Sequence, residues 1–517
     1  MQLNILEYLE GGAARSAPDR VAIVSPRQSY TFAELAGYSK ICGAMLIARA
    51  DVVCEPIAVY LPKSPHVIFA DLGILYSGNI YLNLDVKSPG LRIKAILDQS
   101  RPVLIICTRA LAASLEALGI MREKLFFIED IHIGDTHAAA GESVSAALWK
   151  RLERVVDTDP LCIINTSGST GIPKGVVLSH RSTIDFVDWC FDRLRLTGGE
   201  RIGSLSPFYF DIYTLELNFC LAKGATMVII PDEVAIFPAR LVQFLTAQKI
   251  SFIFWVPSIM VNISNQGLLG QFDLSSLKTV FFAGEVFPMK HLNNWRRALP
   301  AAMFVNLYGP IEITVDCTYF VVDREFEDDE ALPIGFPCRN SGVLLLNERN
   351  EACAPGERGE LCVRGSSLAM GYWNDPEQTA KAFVQNPLNT RYPETIYRTG
   401  DIAYLNERGE IMLVGRKDFQ IKHMGYRIEL QEIEYQVLSI AGLANACVLY
   451  NRDSKEITLY YETRDRTITP AAIRLGLLQI FPKYMLPTVF HELDELPRNS
   501  NGKIDRNALS LELAATA

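Results

Sequence analysis

Thr166-Ser-Gly-Ser-Thr-Gly-Ile-Pro-Lys-Gly175 follows directly on Leu161–Ile164, an apolar run of strand length. Small hydroxyl residues and glycines let successive backbone N–H groups turn towards one point, which makes a concavity for an anion. Gly168 and Gly171 supply the freedom to turn, Lys174 adds a positive charge, and the hydroxyls of Thr166, Ser167, Ser169 and Thr170 add donors. Gly168 and Lys174 keep the spacing of a Walker A loop. Pro173 and Gly175, however, stand where that loop has a glycine and a hydroxyl residue. A dense Ser/Gly/Thr run with an embedded Pro-Lys-Gly, placed straight after a buried strand, points to phosphate binding rather than to a surface connection.

Outward from this loop, short β-rich runs recur with amphipathic stretches between them. They include Ile57–Leu61, Val103–Cys107, Leu125–Ile128, Ala225–Ile230 and Met303–Leu307. Continuous apolar strands separated by helical patterns predict largely parallel sheets covered by helices on both faces. The character changes near residue 415. A charged segment, Gly415–Arg427, precedes a predicted helix over Glu432–Ile440 with Ile433, Val437, Leu438 and Ile440 as its apolar face. Strands are expected at Ala446–Tyr450 and Glu456–Tyr461, then a helix capped by Thr469 with Pro470 at its first position. The fold class is therefore a large α/β domain over 1–417, with a small β subdomain, followed by a small α+β domain over 418–517. Arg416–Asp418 is the expected linker.

The 517 residues are 49% hydrophobic and 21% charged, the ordinary balance of a globular protein too long for one core. A net charge of −9 argues against nucleic acid or an anionic membrane as a broad partner. Eleven scattered cysteines without a CxxC pair read as reduced core thiols. The N-terminus lacks the basic start and apolar run of a signal peptide, and no apolar stretch reaches membrane length. A cytoplasmic protein is expected.

The loop resembles the phosphate signature of the adenylate-forming superfamily, which contains amino-acid adenylation domains, acyl- and aryl-CoA synthetases and luciferases. The resemblance runs through nearly the whole chain in the expected order. Tyr30–Leu35, Asn306–Glu312, Gly359–Leu361, Gly371–Trp373, Tyr397–Asp401, Gly415-Arg416 and Asn501–Asp505 match the family's other motifs. Such enzymes activate a carboxylic acid: its carboxylate attacks the α-phosphorus of ATP and pyrophosphate leaves. Both reactants are anionic, so positioning and charge neutralisation supply most of the catalysis.

The resemblance implies a role for each matching residue. Thr166, Glu312 and Lys503 form the catalytic set. Glu312 would hold Mg²⁺ near the phosphates, since hard cations prefer oxygen ligands. Tyr308 would stack on adenine, with Asn306, Gly309, Gly284 and Glu285 along the base. Asp401 would accept from the ribose hydroxyls, and Arg416 would reach the nucleotide. Lys503 would bridge the substrate carboxylate and the α-phosphate, stabilising the transition state above either ground state. Asp418 occupies the hinge position and Gly425 would line the tunnel for a phosphopantetheine arm. One residue departs from the pattern. Ile311 stands where the family has threonine, which removes a hydroxyl near the phosphates.

Phe210-Asp211 resembles the segment with which amino-acid adenylation domains hold the substrate's α-ammonium group, whose burial needs an opposite charge. Asp211 could equally cap a helix beginning near Thr214. Carried over by position, the pocket consists of Asp211, Ile212, Leu215, Phe254, Phe281, Ala283, Leu307, Val315, Asp316 and Lys503. Aromatic and branched residues leave little volume, which favours a small and largely apolar acid. Leu215, Ala283, Leu307 and Val315 resemble proline-type pockets; Leu307 and Asp316 resemble serine-type ones. Asp316 either meets a hydroxyl or second amine, or points to solvent. Proline is the expected substrate, with serine and alanine open.

No carrier domain follows Asn501–Arg506 and no condensation motif appears, so a stand-alone enzyme that loads a separate carrier protein is expected. Free CoA as the acceptor, and an inactive nucleotide-binding homologue, are the alternatives.

Overall fold

A computed structural model describes residues 2–131, 142–168, 173–194, 196–452, 454–463, 467–498, 504–506 and 508–510, without the side chains of 142–145. Its largest sheet has nine strands. Six adjacent ones, Met303–Tyr308, Thr279–Phe282, Phe252–Trp255, Arg201–Ser204, Thr226–Ile229 and Val21–Val24, run parallel in that order. Antiparallel strands close both edges. The sequence fits a sheet covered on both faces because each central strand is a continuous apolar run. Within Phe252-Ile-Phe-Trp255, side chains alternate between two cores. Phe252 and Phe254 join Phe281, Val305 and Leu307 in one. Ile253 and Trp255 join Val280, Phe282 and Phe304 in the other.

Strand order reverses beside Arg201–Ser204. The chain adds Thr226–Ile229 on one side of it and returns to place Phe252–Trp255 on the other. Ligands of open α/β sheets bind outside the carboxyl ends of strands at such a reversal. Asp211 lies just past the carboxyl end of this strand, at the start of the helix Asp211–Lys223.

A second sheet of seven strands contains Pro56–Tyr60, Ile80–Asn83, Leu104–Cys107 and Leu125–Phe127, all parallel to their neighbours. The strand Pro160–Thr166 belongs to it and leads into the glycine-rich loop. A five-stranded antiparallel sheet built on Gly359–Gly365 and Thr395–Leu405 forms the small β subdomain. The early Tyr30–Leu35 motif is a helix start: Thr31 Oγ1 accepts from Glu34 N at 3.2 Å, and Glu34 Oε2 accepts from Thr31 N at 2.8 Å. Among the described residues no helix is long and apolar enough to cross a membrane.

The residues group into two compact units. One holds Met1–Asp85, Ser100–Ile164 and Val176–Lys417; the other holds Val86–Gln99, Asn165–Gly175 and Asp418–Ala517. In the second unit the helix Leu430–Leu438 packs on the strands Leu443–Asn451 and Glu456–Thr463 through Ile433 and Val437. Leu438, expected on the apolar face, is instead exposed. Thr469 caps the helix Pro470–Leu478, accepting from Ala472 N at 3.2 Å.

Candidate functional site

The described part of the glycine-rich loop belongs to the second unit. Thr166 is 7% exposed, and its hydroxyl has no hydrogen-bond partner among the described residues. A buried hydroxyl without a partner is costly and suits a site that awaits an anionic ligand. Ser167 Oγ donates to the Arg427 carbonyl at 2.7 Å and accepts from Glu429 N at 3.2 Å. The Gly168 backbone hydrogen-bonds Glu432, whose buried carboxylate pairs with Arg92 at 3.0 Å. Lys174 opens the strand Lys174–Ser179 and is half-buried. Ser169, Thr170 and Gly171 lie outside the described residues, and so does Lys503.

Asp418 and Gly425 also lie in the second unit, and the remaining nucleotide and substrate candidates fall in the first. Tyr308 ends the strand Met303–Tyr308, and its hydroxyl donates to Asp401 Oδ2. Burial, reinforced by the Asp401 charge, pushes this phenol far above its ordinary pKa, so it stays a donor. Arg416 Nη1 donates to Asp401 Oδ1 and Nη2 to the Thr399 carbonyl, both at 3.0 Å. The pairing follows from register, because Asp401 and Arg416 face each other across antiparallel strands. Asn306 Nδ2 donates to the Pro333 carbonyl at 2.8 Å.

Gly284 has φ +92, open to glycine and strained for other residues, although a Cβ there would meet only Val256 at 3.6 Å. Glu285 Oε2 accepts from Ser258 N at 2.9 Å and so caps the helix Pro257–Asn265. Glu312 is fully buried in the short turn Ile311–Ile313 and accepts from Tyr372 Oη at 2.8 Å. Tyr372 belongs to the Gly371–Trp373 motif, which carried no assigned role in the sequence; its hydroxyl was the missing signal. Ile311 is half-buried and packs against the main core.

One carboxylate fits Mg²⁺, which takes one or two protein carboxylates and completes its shell with phosphate oxygens and water. Among the described residues no three His, Cys, Asp or Glu side chains are placed to hold a metal ion together. Glu312 therefore matches a metal carried in with the nucleotide better than a metal held by protein alone.

Phe254, Phe281, Ala283 and Leu307 belong to the same core on one face of the nine-stranded sheet. Phe254 and Phe281 are register partners, with ring centroids 6.0 Å apart in edge contact. Ile212, Leu215, Ala283, Leu307 and Val315 share their cluster. Asp211 is half-buried in the first helical turn, where the helix dipole favours a negative charge. The helix starts at Asp211 rather than near Thr214, so Asp211 is not the residue before its first turn. Thr314 and Val315 carry φ of 54 and 65, a strained pair of β-branched residues that turns Asp316 inward. Asp316 is 2% exposed, which corrects the solvent-facing option. Its charge adds to burial in pushing the Cys190 and Cys317 thiols well above their ordinary range. A half-buried acid at a helix start, on a helix that packs its next turn into an aromatic and aliphatic core, can hold a small cation with an apolar body.

The family described as AMP-binding enzyme matches residues 12–373. The chain is 30% identical over 511 residues to the L-proline–[L-prolyl-carrier protein] ligase of Pseudomonas fluorescens, covering 96% of this chain and 97% of that one. It is 32% identical over 495 residues to tyrocidine synthase 3 of Brevibacillus parabrevis, covering 95% of this chain but spanning only 7% of that protein. Among solved structures, the Vibrio cholerae adenylation domain AlmE in complex with glycyl-adenosine-5'-phosphate superposes with a TM-score of 0.85. That alignment is 22% identical and covers 100% of this chain and 98% of the other, a likeness of fold.

Proposed function

The chain belongs to the AMP-binding enzyme family, and from that premise we propose that it adenylates a small α-amino acid and passes it to the phosphopantetheine thiol of a separate carrier protein. Proline is the first choice of acid, then serine or alanine. The observation that carries this reading is Asp211, half-buried in the first turn of the helix Asp211–Lys223 beside the strand-order reversal, on a helix whose Ile212 and Leu215 share a core with Phe254, Phe281 and Leu307. An α-ammonium group needs such a carboxylate when it leaves water, and a fatty or aryl acid does not.

In the first step a substrate carboxylate oxygen bonds to the α-phosphorus of ATP, and the bond to pyrophosphate breaks. Asp211 holds the ammonium end. Tyr308, Asp401 and Arg416 hold the nucleoside. Thr166, Ser167 and Lys174, with the rest of the loop, receive the departing pyrophosphate. Glu312 would hold Mg²⁺, which would supply neutralisation of the phosphate charge. Lys503 serves the carboxylate and α-phosphate together, brought in by a small domain over 418–517. In the second step the carrier thiol attacks the acyl carbon, AMP leaves, and the thiol proton passes to solvent. Abundant ATP makes the cytoplasm the fitting compartment.

Pyrophosphate exchange over a panel of amino acids tests the first step, with the strongest signal expected for proline. Silence across the whole panel overturns the reading. Lys503→Ala should abolish exchange while leaving ATP binding largely intact. Loading of a holo carrier protein, compared with free CoA, tests the second step; transfer to CoA alone would make the chain an acyl-CoA synthetase instead.

A further inference from the structure

The turn that delivers Asp211 is gripped from beneath by a second carboxylate. Asp71 lies on the helix Pro65–Tyr76, in which every residue from Val67 to Tyr76 is buried. It is 0% exposed itself. An apolar residue would fill this place without the desolvation cost of a carboxyl group. What the carboxyl adds is a pair of directed bonds. Its Oδ2 accepts from Tyr213 Oη at 2.7 Å and from Asn83 Nδ2 at 3.0 Å. The same Asn83 amide donates to the Phe208 carbonyl at 3.1 Å.

Phe208 precedes Asp211 in the chain and Tyr213 follows it. Their rings stack with centroids 4.3 Å apart. One carboxylate and one amide therefore tie down both ends of the segment 208–213, with Asp211 between the ties. The charges of Asp71 and Asp211 both raise the Cys162 thiol, so both carboxylates lie within electrostatic reach of one buried sulfur. Burial pushes the Asp71 carboxyl up to about 7. A buried acid held in that state is kept for what it positions, since a site displaced by a fraction of an ångström loses its geometry.

We propose that Asp71, acting through Tyr213 and Asn83, is the positioning residue that sets Asp211 to receive the substrate's α-ammonium group. Amino-acid recognition then depends on this clamp, and ATP recognition does not. The inference rests on the amine-binding role of Asp211 given above.

The test uses the full chain in pyrophosphate exchange with the best amino acid of the panel. Tyr213→Phe removes the hydroxyl and keeps the ring that stacks on Phe208; Asp71→Asn removes the charge; Asp211→Asn is the reference. Each enzyme is measured for the KM of amino acid and of ATP, for kcat, and for inhibition by the same carbon skeleton lacking its amine. Tyr213→Phe and Asp71→Asn are expected to raise the amino-acid KM about tenfold, the scale of one hydrogen bond to a charged group. The ATP KM and the inhibition constant of the desamino acid should stay within about twofold, because neither ligand uses the ammonium contact. A Tyr213→Phe enzyme with unchanged amino-acid KM, beside an impaired Asp211→Asn enzyme, overturns this inference alone. An unimpaired Asp211→Asn enzyme removes the amine site and the inference with it. Parallel losses for amino acid, ATP and desamino inhibitor would reduce the clamp to a structural prop and also overturn it. If Asp71→Asn does not fold, Tyr213→Phe and Asn83→Ala carry the comparison.

Discussion

Gly309 follows the tyrosine that reaches Asp401, and a side chain there has nowhere to go. A Cβ would sit 2.5 Å from the Asp316 Cα and 2.6 Å from the Val315 carbonyl, both backbone atoms. Gly309→Ala must push away the strained turn at Thr314 and Val315, at a cost of about 1–3 kcal/mol. Thermal unfolding should show the loss, and the amino-acid KM should rise because Val315 and Asp316 move. A variant as stable and active as the parent would refute that packing. Two titrating residues give opposite slopes of stability against pH. Burial lowers His180 to about 4, so between about 4 and its ordinary 6.5 the folded chain binds fewer protons than the unfolded one. His180 therefore makes stability rise with pH across that window. Asp71 is raised from 3.8 to about 7, so over that range the folded chain binds more protons and stability falls as pH rises. Denaturant unfolding from pH 4 to 7 should show His180→Gln losing the upward component and Asp71→Asn losing the downward one. Identical slopes in all three proteins would contradict both assignments.

The elements differ in how far they could be read ahead. The capping box of Thr31 and Glu34 is local, four residues that satisfy one another's backbone donors, yet Tyr30–Leu35 is read in the sequence only as a family motif and not as a helix start. Thr31→Ala should cost the helix Phe32–Arg49 about 1 kcal/mol, seen as a lower denaturation midpoint at unchanged slope. Thr469 and Pro470, whose signal is equally local, are read in the sequence as a helix start and are one. The apolar runs announced their strands, but not which side of the sheet each residue faces. Phe254 and Ile253 read alike in sequence and separate into different cores only when the strands pair. Leu438 lies five residues after Ile433, about 140° round the helix from it, and stays exposed, whereas Val437, four residues on, shares the buried face. The clamp on Asp211 was illegible throughout. Asp71 and Tyr213 lie far apart in the chain, and an aspartate within an apolar run carries no local sign of its partner.

At the scale of the whole molecule, the loop that opens the phosphate reading shares a compact unit with Asp418–Ala517 and with Val86–Gln99. Within that unit Ser167 is tied to Arg427 and Glu429, and Gly168 to Glu432. Arg92 is the cation that allows Glu432 to be charged while fully buried: the pair is 3.0 Å apart with side chains 11% and 0% exposed. Burial raises the Glu432 carboxyl and Arg92 opposes that rise. Arg92→Ala leaves an uncompensated charge, and breaking such a pair costs about 3–5 kcal/mol. Protonation can relieve that charge, so the deficit should be largest near pH 8 and shrink towards pH 5. The loss belongs to the second unit. Hydrogen exchange should show lowered protection at Ile433, Val437, Val448 and Leu459, while Phe254 and Phe281 keep theirs. The ATP KM should rise as well, with the amino-acid KM unchanged, the reverse of the pattern expected for Tyr213→Phe. Equal loss of protection around Phe254 and Ile433 would show that the two units unfold as one, and the separation of nucleotide and amino-acid effects would fail with it.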